Sequence, residues 1–280
     1  MPPKVGVVAG GGRLPELVAR ACRDAGRSVF LLSLRDDADP ELAARVQPDG
    51  HAAIRLGEAG TGVKHLKRAG VEQVVFVGKV ERPSLSSLRP DFATIGLLAR
   101  IGRRALGDDS LLRAIADVIA GEGFQVVGPL DLAPGLATPE GVLTRARPDA
   151  EAEADIRRGI AVVAGLGACD VGQAAAVQQG IVLAVEAVEG TDAMIARCAA
   201  LSRKGAGGVL VKASKPQQDL RLDLPTVGAD TVRAAAQAGL RGMAIEAGRV
   251  ILIDRAETVA EADRLGLFVV GVAVQAAPAP

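Results

Sequence analysis

Apolar positions over the first eighty residues come in short blocks separated by amphipathic stretches, the rhythm of strands alternating with helices. Val5–Ala9 is a five-residue aliphatic strand, followed by three glycines and a helix over 15–25 that Gly26 closes. Further strands are predicted at 28–34, 52–56, 73–77 and 124–127, with helices at 62–68, 92–104 and 110–120. Strands that alternate with helices imply a mostly parallel sheet covered on both faces.

The rhythm changes near residue 135, inside a stretch, 128–148, with four prolines and little periodicity. Beyond it the pattern predicts a helix over 150–164 and a hairpin of 171–177 with 181–188 around Gln178-Gln179-Gly180. A second hairpin is expected from 242–246 and 250–254 around Ala247-Gly248-Arg249, with helices at 192–202, 230–238 and 257–265. Residues 276–280 read as a frayed tail. The expected fold is α/β in two domains. Residues 1–134 form a Rossmann-like domain with a mostly parallel sheet, and 135–280 form a catalytic α/β domain with a mixed sheet.

Composition narrows the function. The 280 residues carry 33 basic and 33 acidic side chains, with no Trp and no Tyr. A balanced charge removes the electrostatic footprint of a general nucleic-acid binder, and the missing aromatics remove its stacking platforms. Nucleic acid is therefore not an expected partner. No apolar run approaches the roughly 18 residues that span a bilayer, and Met-Pro-Pro-Lys leads into a strand rather than a signal peptide, so a cytoplasmic protein is expected. Cys22, Cys169 and Cys198 lack metal or redox spacing and read as buried small hydrophobes.

Candidate chemistry falls in five places. Gly10-Gly11-Gly12-Arg13-Leu14-Pro15 joins the first strand to the first helix, where backbone N–H groups can cradle a phosphate and Arg13 can supply counter-charge. The same glycines would serve a tight turn with no ligand. Lys79, in Phe76-Val77-Gly78-Lys79-Val80, stands at the carboxyl end of a strand, where open α/β sheets bind ligands. Asp108 and Asp109 precede a helix as caps that could also face a metal or a ribose. Glu186, Glu189, Thr191 and Asp192 surround a strand end, with Thr191 read as a helix N-cap and Glu189 and Asp192 as hard oxygen ligands. The segment 204–228 is richest: Lys212, Lys215, Asp219, Arg221 and Asp223 mix cations and carboxylates in the way that a polyphosphate and a divalent cation are bound together. His51 and His65 lie outside these segments, so a histidine-rich dinuclear site cannot be built.

These five segments, with Lys215-Pro216-Gln217-Gln218-Asp219 running on to Asp223-Leu224-Pro225-Thr226-Val227-Gly228, resemble the LpxI-type UDP-2,3-diacylglucosamine pyrophosphatases in the same order along nearly the whole chain. The resemblance implies a hydrolase of lipid A biosynthesis in Gram-negative bacteria. Such an enzyme cleaves UDP-2,3-diacylglucosamine to UMP and 2,3-diacylglucosamine 1-phosphate (lipid X), with Mg²⁺ or Mn²⁺, in a cleft between two domains. It also implies transient contact with the cytoplasmic face of the inner membrane, whereas a homodimer is expected only from the frequency of symmetric dimers. The family's essential aspartate matches Asp223, as metal ligand or as general base. Residue chemistry alone adds Glu189, Asp192 and Asp219 as metal ligands and Lys212, Lys215 and Arg221 as catalytic cations. It also adds Gly10, Gly11, Gly12, Arg13, Leu14, Lys79, Asp108, Asp109 and Thr191 as substrate-binding residues. Two rivals are an NADP-dependent oxidoreductase, with Arg35 on a 2′-phosphate, and a nucleotide- or lipid-binding regulator without turnover.

Overall fold

The computed structural model describes residues 2–80 and 108–274; the helix expected over 92–104 and the tail 276–280 lie outside the described residues. The chain divides into two compact units, one of residues 1–135 with 219–223, the other of 136–218 with 224–280.

The first unit runs β1 (Val5–Ala9), α1 (Leu14–Asp24), β2 (Val29–Leu34), α2 (Leu42–Val46), β3 (Gly50–Ile54), α3 (Ala59–Arg68) and β4 (Gln73–Val77), then α4 (Asp108–Gly121), β5 (Gln125–Val126) and α5 (Pro129–Leu132). Its five strands are all parallel in the order β3-β2-β1-β4-β5, the doubly wound arrangement expected from the alternating pattern. Every residue of β1 and β2 is buried, which is why these strands read as continuous apolar runs rather than alternating ones. Phe30, Leu32, Leu66 and Val74 gather in one core cluster of this unit. Pro15 sits in the first turn of α1, where a missing N–H leaves no helical hydrogen bond unmade.

Between β1 and β4 the strand order reverses, and there the two glycine-containing turns interlock. Gly10 N–H donates to the Val77 carbonyl at 2.9 Å, Gly11 N–H to the Lys79 carbonyl at 2.7 Å, and Lys79 N–H returns to the Gly11 carbonyl at 3.0 Å. A Cβ at Gly10 would stand 2.5 Å from the Lys79 carbonyl oxygen, and one at Gly78 2.6 Å from that of Gly11. Gly78 also has φ +98°, a conformation that a side chain strains. Close backbone approach by itself calls for glycine at these two positions.

The second unit contains β6 (Gly141–Val142), α6 (Ala150–Ala168), β7 (Ala174–Gln178), β8 (Ile181–Val185), α7 (Gly190–Leu201), β9 (Val209–Lys212), β10 (Thr226–Val227), α8 (Ala229–Gln237), β11 (Gly242–Glu246), β12 (Ile251–Leu252), α9 (Arg255–Leu265) and β13 (Phe268–Val272). Six strands form a mixed sheet, β6-β13-β11-β9-β7-β8, in which β13, β11 and β9 are mutually parallel and the edges antiparallel. Side chains alternate across it as a pleat requires. Leu210, Met243 and Ile245 pack with Met194 and Ile195 of α7, while Val209, Val211 and Ala244 pack with Ile156 and Val163 of α6.

The first expected hairpin is present: β7 and β8 pair antiparallel through Gln179 and Gly180, at φ 54° and 73°, a two-residue turn with both central residues left-handed. The second is not. β11 is flanked by β9 and β13, both parallel to it, so β12 has no place beside it and pairs instead with β10 in a separate two-stranded ribbon. Cys22 and Cys198 are buried as expected, but Cys169, at the C-cap of α6, is exposed.

Two outcomes follow for stability. Gly10→Ala forces backbone against backbone and lowers unfolding free energy by about 1–3 kcal/mol, read from urea midpoints. Asp149 caps α6 by accepting from Ala152 N–H at 2.8 Å and pairs with Arg241 at 2.8 Å, and these contacts, the backbone one first, hold its carboxyl below the usual carboxylate range. Its stabilisation is complete above the unfolded value of about 3.9 and lost as pH falls through the lower folded value. Asp149→Ala therefore unfolds at lower urea than the parent at neutral pH, and the two midpoints converge as pH falls through the lowered folded value.

Candidate functional site

A group of buried polar residues of the second unit lies at one edge of its sheet. β9 and β11 end there, β8 ends there, and β7 begins there, since Ala174 pairs with Lys212 and Ala175 with both Val211 and Val185. Parallel strands place their ligand-binding groups at this carboxyl edge. Glu186, Thr191, Lys212, Ser214 and Glu246 all stand at or just beyond these strand ends and are all buried.

Buried charge persists only when it is paired and hydrogen-bonded, and these residues satisfy one another. The Lys212 ammonium donates to the Thr191 hydroxyl at 2.9 Å and to the Thr226 carbonyl at 3.1 Å. The Thr191 hydroxyl donates in turn to Glu186 Oε1 at 2.8 Å, and Glu186 Oε2 accepts from Gln173 N–H at 3.2 Å. A second cluster lies at the next strand end, where Glu246 Oε2 accepts from both the N–H and the hydroxyl of Ser214 at 2.8 and 2.7 Å, with Arg249 3.7 Å from its other oxygen. Thr191 is thus not the N-cap of α7. The helix begins at Gly190 with Glu189 in the cap position, and the Thr191 hydroxyl is committed to a buried carboxylate on one side and an ammonium on the other.

From Ser214 the chain makes an excursion that returns at Thr226. Lys215 pairs with Asp170 at 2.6 Å, and its N–H donates to Gln218 Oε1 at 3.0 Å. The middle of the excursion, 219–223, groups with the first unit. There the N–H groups of Leu222 and Asp223 both donate to the Asp219 carbonyl, at 2.9 and 3.2 Å, making a compact turn with Asp223 half-buried. Arg221 grips Asp219 with two N–H groups at 3.0 and 2.7 Å and holds that carboxyl below its usual range. Arg221 also borders a cleft of about 480 Å³ lined by Asp117, Asp131, Phe124 and Gln125. Leu222 packs on the core cluster of the same unit.

The remaining sequence-selected residues are distributed as follows. Gly10, Gly11 and Lys79 meet through their backbones at the strand reversal, with Gly12 beside them at φ +85° and the Lys79 side chain exposed. Arg13 pairs with Glu16 at 3.1 Å, a buried carboxylate that also receives Arg20 and Arg45. Leu14 is buried at the start of α1. Asp108 and Asp109 stand in the first turn of α4, and their side chains lie outside the described residues.

The four acids expected to hold a metal do not come together within either unit. Glu189 and Asp192 belong to the second unit, exposed, with Glu189 ion-paired to Arg197. Asp219 and Asp223 group with the first, and Asp219 is occupied by Arg221. Among the described residues no group of three His, Cys, Asp or Glu side chains is arranged to hold a metal ion. Glu246 and Ser214 were missed from the sequence. The available signal was an acid at the carboxyl end of an aliphatic strand, and reading that strand as half of a hairpin hid it.

Comparisons with known proteins fall in line with this architecture. The LpxI N-terminal domain matches residues 4–136 and the LpxI C-terminal domain residues 139–270. UDP-2,3-diacylglucosamine pyrophosphatase LpxI of Caulobacter vibrioides is 43% identical over 282 residues, covering 98% of this chain and 99% of that protein. Among solved structures, N5-carboxyaminoimidazole ribonucleotide synthetase from Thermotoga maritima aligns at 14% identity over 62% of this chain and 38% of its own. Its TM-score of 0.26 is too low to carry any argument. With both halves matched and a full-length relative at this identity, the chain belongs to the LpxI family.

Proposed function

We propose that this protein is the UDP-2,3-diacylglucosamine pyrophosphatase of lipid A biosynthesis in its organism, releasing UMP and 2,3-diacylglucosamine 1-phosphate with Mg²⁺ or Mn²⁺ in the reaction. The observation that carries the reading is the 43% identity with the LpxI pyrophosphatase along 98% of the chain. The buried ionic edge of the second unit supports it, because it secures both ends of the excursion that presents Asp223.

In this reading water attacks one phosphorus of the pyrophosphate and the bridging P–O bond breaks. Asp223 takes the proton of that water, and its carboxylate would also be a ligand for a divalent ion. The divalent ion, when bound, would polarise the phosphate oxygens and make water more acidic. Lys215 and Lys79 are the cations proposed to face phosphate. Lys212 acts from inside the fold, where the Thr226 carbonyl engages it, and the exposed Arg221 is held by the Asp219 carboxylate. The dinucleotide oxidoreductase reading loses its main support, since two amides of the glycine turn are already bonded to the Val77 and Lys79 carbonyls. Among the described residues no helix is long and apolar enough to cross a membrane, so the lipid substrate is proposed to be reached by transient contact with the inner-membrane surface.

Purified protein given UDP-2,3-diacylglucosamine, with and without Mg²⁺ or Mn²⁺, is expected to release UMP only with metal. Asp223→Ala is expected to reduce the rate by about 10²–10⁴-fold. Absence of UMP from the parent under every metal defeats the reading, and binding of the lipid without turnover would favour a carrier.

A further inference from the structure

The excursion between Ser214 and Thr226 carries Asp223, yet its first and last residues are each tied to a buried charged side chain of the sheet edge. At the first foot, Glu246 of β11 receives two bonds from Ser214, one from the backbone N–H and one from the hydroxyl, at 2.8 and 2.7 Å. At the second foot, Lys212 of β9 donates to the Thr226 carbonyl at 3.1 Å, and its charge is balanced through Thr191 by Glu186. Glu246 is 3% exposed and Lys212 6%. Removing two such charges from water costs free energy that a pair of apolar side chains would not incur, so stability alone is a poor reason for them. What apolar side chains cannot do is fix a backbone N–H and a backbone carbonyl in direction as well as position.

We propose that Glu246 and Lys212 are positioning residues that hold the two feet of the Asp223 excursion in register across adjacent strands. Glu246 and Lys212 sit on neighbouring parallel strands, with Ile245 paired to Lys212, so the feet inherit the spacing of the sheet itself. Neither residue touches substrate in this assignment. Their effect on the reaction passes through the placement of Asp223, and in that respect the inference rests on the hydrolase reading above.

The test compares Glu246→Ala, Glu246→Gln and Lys212→Met with the parent, in steady-state UMP release and in amide hydrogen exchange of the intact chain. Glu246→Ala is expected to lower kcat by about 100-fold with KM little changed, as for a reacting group displaced by about 1 Å. Glu246→Gln keeps an acceptor oxygen for Ser214 and is expected to restore kcat to within about tenfold of the parent. Exchange should quicken over 213–228 in Glu246→Ala and Lys212→Met while strands β1 to β4 keep their protection. If Lys212→Met fails to fold because Glu186 is left without its cation, Ser214→Ala replaces it. That variant deletes one of the two bonds to Glu246, with a kcat loss of about tenfold expected. Unchanged exchange over 213–228, a raised KM at constant kcat, or no rescue by glutamine would each overturn the proposal. A parent without UMP release would defeat the hydrolase reading alone, because the exchange arm decides the clamp independently.

Discussion

The second unit depends on a single constraint: a lysine ammonium placed at a sheet edge where water is excluded. Lys212 is the last residue of β9, in a strand otherwise made of Val and Leu, and the strand cannot be buried unless that charge is answered. Thr191 and Glu186 answer it from α7 and from the residue after β8, and Thr226 answers it from the returning chain. The neighbouring strand repeats the arrangement with opposite sign, through Glu246 and Ser214. Much of the local geometry follows from satisfying these two charges: where α7 starts, which hydroxyl is no longer available as a cap, and where the excursion leaves and rejoins the sheet.

The first unit solves a different problem with the same economy. Its sheet is entirely parallel, and the two glycine-containing turns meet where the strand order reverses. Three carbonyls and three amides there would be left unpaired if the turns stayed apart. They pair with each other, and the glycines at positions 10 and 78 are what permits the approach. A glycine-rich turn after a first strand is often read as a phosphate cradle. In this chain the spacing is a sufficient consequence of backbone meeting backbone.

Much of the architecture was legible in the sequence because burial and periodicity are local properties. The β1–α1–β2 opening, the Gln73–Val77 strand, the change of rhythm near residue 135 and the Gln179-Gly180 hairpin all rest on patterns a few residues long. Part of the candidate site was legible for the same reason: Asp223, Lys212 and Thr191 stand out by type and by neighbouring motif. Their roles were less so. Thr191 read as a cap because its nearest backbone partners are local, but the groups that claim its hydroxyl are five residues back and on another strand.

Sequence alone determined the class of most of the described elements and the two-part organisation, and offered candidates for the chemistry, since these depend on the side chains and their immediate spacing. Tertiary structure decided which strand lies beside which. A turn of suitable length after β11 suggested a hairpin, but β9 and β13 already occupied both its flanks. It also decided which partners the charges find and which of them are buried. Arg221 and Lys212 look alike as loop cations in the sequence, yet one grips Asp219 and the other is buried against Thr191 and Thr226. Desolvation and hydrogen-bond partners set those fates, and both are fixed only when residues distant in sequence are brought together.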